Sequence, residues 1–333
     1  MEKLNWGILS TGEMAGNMAA AFSFQSRARL HSVVSRSLER AAAFGARHRI
    51  ERQFSDLNTF LSDPDLDVVY IASPQSEHFT EILSSLEAGK HVVCEKPLAI
   101  NAMQARRCAD EAKRRGLFLM EAMWMRFFPA MSELLEAFDT GLIGKPYMVG
   151  ADFCINGPAA GHRLLNPALA GGALLDLGIY PISLTQWVLG EIRNAAGYAQ
   201  IGESGVDVQD AFTVQCRDGG MGVLACGLTG YKPREAYITG TAGCIKIENI
   251  FFRPRAVTYR YGTPDAETVE RPFLGNGYPH EIIHVCESIG NGLDESPVMP
   301  MADTINALET MDMLRLQWKL RFPQEDTEYG DKT

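Results

Sequence analysis

No block of lysine and arginine runs through this chain, and its charge balance is negative: 31 basic residues stand against 41 acidic ones, a formal charge of −10 at pH 7. That argues against a nucleic-acid partner, whose binding rests on neutralised phosphates. No apolar run approaches the ~20 residues that a membrane span needs. The start, Met1-Glu2-Lys3-Leu4-Asn5-Trp6, passes straight into a strand pattern instead of a secretory signal. The seven cysteines are an odd, scattered set that never reaches C-x-x-C spacing. A disulfide framework and a structural metal site are therefore disfavoured, and free thiols in a reducing, cytoplasmic compartment are expected. Repeats and low-complexity segments are also missing, and the polar tail, residues 325–333, is expected to fray. What is present is a chain of 333 residues, 46% hydrophobic, long enough for two globular domains.

The nucleotide-binding signals are likewise read against what is missing. Trp6 to Leu9 reads as a buried strand, and Ser10-Thr11-Gly12-Glu13-Met14-Ala15-Gly16 turns into an Ala-rich helix. Of the glycines in G-x-G-x-x-G, Ser10 replaces the first and Ala15 the third. Gly12 keeps the central place, where backbone must approach a pyrophosphate. The helix N-terminus would offer N–H groups and its positive dipole end to the phosphates. A second strand, Leu30 to Ser35, ends without the acidic residue that binds a ribose 2′-hydroxyl. Ser35, Arg36, Ser37 and Arg40 stand there instead, the charge and donors that a 2′-phosphate needs; a surface arginine at a helix start is the plainer alternative. Further strands cover 67–74, with Ala72, Ser73 and Pro74 at the end and His78 just beyond, then 91–94 and 117–120. Helices between them, including Asn101 to Arg115, complete the pattern of a doubly wound parallel sheet. Val92-Val93-Cys94-Glu95-Lys96-Pro97 stands out: a strand end, where open parallel sheets bind ligands, is followed at once by a lysine and a stiffening proline.

Beyond Glu121 the pattern changes. Short strands over 147–155, 211–216, 222–228, 236–239, 244–248 and 256–260 follow one another with turns between, as in an antiparallel sheet. Gly171 to Trp187 interrupts them with a helical run, in which Asp176 and Tyr180, four apart, share a face. That pair fits either packing or a phenol held over a substrate. His280-Glu281-Ile282-Ile283-His284 matches the zinc-protease pattern H-E-x-x-H, but it opens a helix after Gly275-Asn276-Gly277-Tyr278-Pro279 and is read as structural, with no metal assigned. Met120, Met123, Met125 and Met131 read as core and cleft lining.

Taken in order, several stretches resemble the Gfo/Idh/MocA oxidoreductase family, most of all its dimeric dihydrodiol dehydrogenase branch. They are the strand–Ser-x-Gly opening, Cys94-Glu95-Lys96-Pro97, Met120-Glu121-Ala122-x-Trp124-x-Arg126-Phe127-Phe128-Pro129, Gly171 to Tyr180, and Ser296-Pro297-Val298-x-Pro300. Many members carry histidine where Tyr180 stands. The resemblance implies an N-terminal Rossmann domain over 1–122. It also implies a substrate-binding and dimerising α/β domain with a large, open, mostly antiparallel sheet over 123–333. The nicotinamide would lie in the cleft, with Lys96 on one wall and Tyr180 on the other. Ser10, Thr11, Gly12, Met14, Ala15, Ser35, Arg36, Ser37, Arg40, Ala72, Ser73, Pro74, His78, Glu95, Lys96 and Arg126 are the expected cofactor contacts. Trp124, Phe153 and Phe252 are the expected substrate walls.

The implied chemistry is hydride transfer between a nicotinamide, NADP with NAD as second choice, and a diol, sugar or related hydroxy or keto compound. A tyrosine titrates near about 10 in water, and a neighbouring ammonium lowers that value. Tyr180 would be acid and base, Lys96 its partner or a direct ligand of the substrate oxygen, and Asp176 an orienting group. A sugar or anhydrosugar dehydrogenase or reductase is the nearest alternative; a non-catalytic ligand-sensing regulator is the alternative of another class. The apolar run Gly222 to Leu228 predicts a homodimer, or a dimer of such dimers, joined sheet to sheet.

Overall fold

The computed structural model describes residues 3–248 and 250–325. Six strands build the first sheet: β1 (Leu4–Leu9), β2 (Ala28–Val34), β3 (Arg52–Phe54), β4 (Val68–Ile71), β5 (His91–Glu95) and β6 (Leu119–Ala122). Helices α1 (Glu13–Ala21), α2 (Leu38–His48), α3 (Leu57–Leu61), α4 (His78–Glu87) and α5 (Ala102–Arg115) alternate with them. The order is β3-β2-β1-β4-β5-β6, and every pairing is parallel. β4 is buried on both faces, as are Val92 to Glu95 of β5 and all of β6, which explains why these strands are apolar but for Glu95 and Glu121. The chain leaves β1 in one direction to β2 and later returns on its other side to β4. That reversal opens a crevice outside the carboxyl ends of β1 and β4.

Eight further strands form the second sheet: β7 (Pro146–Cys154), β8 (Ile192–Ile201), β9 (Asp207–Cys216), β10 (Met221–Gly227), β11 (Ala236–Gly240), β12 (Gly243–Ile247), β13 (Ala256–Tyr259) and β14 (Glu267–Glu270). Their order is β14-β13-β12-β11-β7-β10-β9-β8. The expected antiparallel character holds for most of it, but β7 and β10 run parallel at the centre. β8 and β14 had no expected counterpart: β8 buries only Ile192 and Ala195, and β14 buries nothing, so neither has an apolar face to read. The accompanying helices are α6 (Pro129–Asp139) and α7 (Ile179–Leu189), with α8 (Tyr278–Gly290) and α9 (Met301–Trp318) later in the chain. β9 shows the half-buried alternation of a sheet with one covered face. In β10, Val223 is 54% exposed while Leu224 and Cys226 are buried. The run that reads as apolar throughout is therefore two-sided.

Pro167–Leu189 does have the length and composition of a membrane span, contrary to expectation, yet 89% of its apolar window is buried inside the fold. It is apolar all round because protein surrounds it.

The chain packs as two units, and they are not continuous along it. One comprises residues 3–99, 103–127 and 273–304; the other comprises 100–102, 128–248, 250–272 and 305–325. A single cut after residue 122 thus misplaces the segment 273–304. Contacts explain why: the Asn276 side-chain amide donates to the Asn17 carbonyl at 2.7 Å, Tyr278 donates to Met14 Sδ at 3.4 Å, and Glu287 pairs with Arg27 at 3.2 Å. α8 is thereby fastened to α1 and the start of β2.

Candidate active site

The turn after β1 keeps the backbone of a glycine motif without its glycines. Ser10 takes a φ of 105°, a conformation rare for a residue with a side chain. Its N–H donates to Val34 O at 2.9 Å and its Oγ accepts from Gly12 N at 3.3 Å, so the serine braces the bend that replaces the first glycine. α1 opens at Gly12 with no side-chain cap. Its first amides remain available to phosphate oxygens, so the turn fits a dinucleotide. Thr11 and Met14 are half-buried beside it, and Ala15 is buried.

At the end of β2, Ser37 caps α2 by accepting from Arg40 N at 3.4 Å, while Ser35 donates its N–H to Phe54 O at 3.1 Å. Arg36 and Arg40 are both exposed. Beyond β4, Ala72 N is tied to Leu9 O at 3.1 Å, across the crevice between β1 and β4. Ser73 donates its hydroxyl to Glu81. Glu81, on α4, was not foreseen. Burial pushes its carboxyl up to about 7, while the Ser73 hydrogen bond and the Arg36 charge act the other way. Pro74 follows in the same loop. His78 is enclosed: Nδ1 lies 2.8 Å from Pro97 O and Nε2 3.1 Å from Ser73 O. Its ring thus joins the loop after β4 to the turn after β5.

Cys94-Glu95-Lys96-Pro97 leaves β5 as the opening motif implied. Glu95 accepts from the Tyr70 hydroxyl and, at 3.3 Å, from Lys96 N. The turn is fixed from behind by Glu121 on β6, which accepts from Leu98 N at 2.8 Å and Thr304 Oγ1 at 3.2 Å. Burial pushes the Glu121 carboxyl up, and the positive charges of Arg126 and Lys96 oppose that. The Met-Glu-Ala stretch is part of the motif, but only the fold shows that its glutamate holds the lysine turn. Arg126 is 1% exposed and bonds Asp303 at 2.5 Å and Val298 O at 3.1 Å; its guanidinium is an enclosed tie. Trp124 lies against the Tyr278 ring at 4.8 Å. The two histidines of H-E-x-x-H go separate ways. His280 Nε2 accepts from Leu274 N at 2.9 Å, and His284 Nε2 meets Ser296 Oγ at 2.7 Å.

In the second unit, residues far apart in sequence meet around Tyr180. Phe153 on β7 stacks on Phe252 with centroids 4.0 Å apart and planes at 19°. The Tyr180 ring lies 4.9 Å from Phe252 and 5.5 Å from Phe153. Both expected phenylalanines thus join the expected tyrosine. Tyr180 opens α7, and the residues before it, Leu174–Gly178, form a π-turn, a distortion frequent at functional sites. Asp176 sits in that turn and accepts from both terminal nitrogens of Arg163 at 3.1 Å. Arg163 had no motif to mark it.

Comparison with known proteins agrees with these features. Residues 4–123 match the family model described as "Oxidoreductase family, NAD-binding Rossmann fold", and residues 131–246 match the "GFO/IDH/MocA C-terminal domain". The chain is 33% identical over 336 residues to the trans-1,2-dihydrobenzene-1,2-diol dehydrogenase of Mus musculus, spanning 97% of this chain and 99% of that one. The Homo sapiens protein of the same name is 32% identical, with the same coverage. Among solved structures, KijD10, a 3-ketoreductase from Actinomadura kijaniata in complex with NADP and TDP-benzene, superposes with a TM-score of 0.84 at 25% identity, covering 95% of this chain and 98% of that one. Sequence match, fold and strand-end motif agree: the chain belongs to the Gfo/Idh/MocA oxidoreductase family, in its dihydrodiol dehydrogenase branch.

Proposed function

We propose that this oxidoreductase interconverts an alcohol and a ketone on a vicinal diol, a sugar or a related hydroxy-keto compound, with NADP(H) preferred over NAD(H). The observation that carries the reading is the enclosed ring cluster of Tyr180, Phe153 and Phe252, which sets one phenol among apolar walls. A bound nicotinamide supplies the hydride chemistry. The chain's own part is to hold the coenzyme, exclude water and move one proton. The amides that begin α1 at Gly12 would take the pyrophosphate, and Arg36 with Arg40 the 2′-phosphate. Tyr180 would give its phenolic proton to the carbonyl oxygen in reduction and take the alcohol proton in oxidation. Lys96 would favour the phenolate by its charge, or bond the substrate oxygen directly. Asp176, fixed by Arg163, would orient this proton path.

A homodimer with its sheets face to face is part of the proposal. The open face of the second sheet carries Tyr198 at 87% exposure, Val223 at 54%, and Met221 and Met148 on the same side. A reducing, cytoplasmic setting suits seven free cysteines.

The test is a scan of vicinal diols, aldoses and ketoses at the nicotinamide absorbance, with each coenzyme in turn. Turnover of one compound class, faster with NADP(H), is expected. Saturable ligand binding without any turnover would favour a ligand-sensing regulator.

A further inference from the structure

Under the start of the Tyr180 helix lies a pair of buried acids that no motif marks. In β9 the register against β8 slips, so that Ile201 faces Asp207 while Gln200 faces Gln209. Val208 is the extra residue. It resets the alternation of the strand, and Asp207 and Asp210, three apart, both point inward. Each is 1% exposed.

Asp207 Oδ2 accepts from Leu174 N at 2.5 Å, the first residue of the π-turn, and the Ala173 N–H also helps to hold this carboxylate. Gly172 precedes them at a φ of +129°, and a Cβ there would run into Asp207 Oδ1. Asp210 faces Cys226 on β10, whose Sγ donates to Oδ2 at 3.1 Å. That sulfur in turn lies against Gly178, where a Cβ would come within 2.9 Å of it. The acids and the thiol therefore support both ends of the turn that carries Asp176 and leads into Tyr180.

Two carboxylates cannot both ionise cheaply at such a place. Burial raises the Asp207 carboxyl, but the Asp210 side chain and the amide donors at the helix start favour its charge. Asp210 has the thiol and a side-chain hydrogen bond to Asp207, the arrangement of a protonated acid beside a charged one. Burial, followed by the Asp207 charge, pushes Asp210 up to about 9. Other titratable groups nearby are Cys226, Cys154 and Asp152, the last paired with Lys232 at 3.5 Å, and Asp176, paired with Arg163. Among the described residues, no cation acts on Asp207 or Asp210.

We propose that Asp207 is a positioning residue for the Asp176–Tyr180 turn, and that Asp210 is its proton-bearing neighbour, leaving the pair one negative charge that anchors the helix start. The role of this turn in chemistry rests on the proposed function above; the anchoring itself does not. As pH rises through about 9, Asp210 ionises, the two charges repel, and the helix start loosens. The sign for stability follows from a folded value above the unfolded one of 3.8. The contribution is full below about 4, and it is lost as pH rises towards about 9.

The experiment is hydrogen–deuterium exchange of peptides spanning residues 171–182, corrected for intrinsic rates. At neutral pH, Asp207→Asn should speed their exchange by about tenfold, because a hydrogen bond to a charge is lost; unchanged protection overturns the proposal. Should that variant not fold, the native chain and Asp210→Asn decide. Native exchange in these peptides should rise between about pH 8 and 10, and Asp210→Asn, which cannot ionise, should abolish the rise. A flat native profile, or the same rise in both chains, overturns it. With substrate, the ratio of kcat at pH 10 to kcat at pH 8 should be higher in Asp210→Asn than in the native enzyme, with the coenzyme KM unmoved. If exchange behaves as stated while Tyr180→Phe turns over normally, the anchor stands and the acid–base assignment falls.

Discussion

The two units gather their candidate functional groups by opposite routes. In the first, the groups stand where parallel strands end: Ser10 after β1, Arg36 after β2, Ser73 after β4 and Lys96 after β5, each a step or two beyond its strand. In the second, Tyr180 comes from a helix, Phe153 from a central strand and Phe252 from a loop, and only packing unites them. A parallel sheet aligns all its carboxyl ends on one edge, so each site residue sits inside a short strand-and-turn signature. A mixed sheet has no common edge and offers no such address.

The buried acids differ in the same sense. Glu121 and Glu95 hold a turn whose sequence already advertises it, whereas Asp207 and Asp210 act through a bulge that no composition shows. Glu281 stands apart from both. It is 0% exposed, and neither carboxyl oxygen has a hydrogen-bond partner. Burial, then the Glu95 charge, pushes its titration well up. The glutamate of the H-E-x-x-H pattern thus lies enclosed in the core with its charged form disfavoured, between histidines engaged elsewhere.

The sharpest test of the contrast removes one atom from the second unit. Tyr180→Phe keeps the ring in its cluster and deletes the proton. Turnover should drop by about a hundredfold or more while coenzyme titration, a property of the first unit, stays as it was. Near-native turnover would move the acid–base role out of the aromatic cluster. The complementary change falls in the first unit. Arg36→Ala should weaken NADP(H) by roughly tenfold and leave NAD(H) nearly alone, since only the 2′-phosphate contact is lost. Equal weakening of both coenzymes, measured by fluorescence titration, would make Arg36 a general part of the fold.

Assembly comes next in size. Val223→Asp on the open face of the second sheet should shift sedimentation at micromolar concentration from dimer towards monomer. A native chain that sediments only as monomer ends the dimer proposal. Leu228, which reads in sequence as part of the same surface, is 1% exposed, so a charge there would test folding instead of association.

The smallest effect concerns stability in the first unit. Glu281 has a folded value above its unfolded 4.5, so its contribution is full below about 4.5 and is lost as pH rises. Glu281→Gln cannot ionise and escapes that loss. Its melting temperature should exceed the native one at pH 7, with the gap closing towards pH 4.5. A gap of constant size would mean that ionisation of Glu281 plays no part.

The sequence by itself determined the alternation of strand and helix in the first unit, the Glu-Lys-Pro turn, the arginines in place of an acid, and the pairing of an acid with a tyrosine one turn apart. Each of these is a local pattern, written in neighbouring residues whose spacing follows the period of one element. Tertiary structure alone decided the rest. It returned 273–304 to the first unit and put both nitrogens of His78 to work on two loops. It closed Arg126 against Asp303, gave Asp176 its Arg163, and turned Asp207 and Asp210 to the same side of β9. Those outcomes depend on burial and on partners distant along the chain. A side chain's type does not encode which buried donor it will meet; the free energy of leaving that group unpaired does, and it is set only when the fold closes.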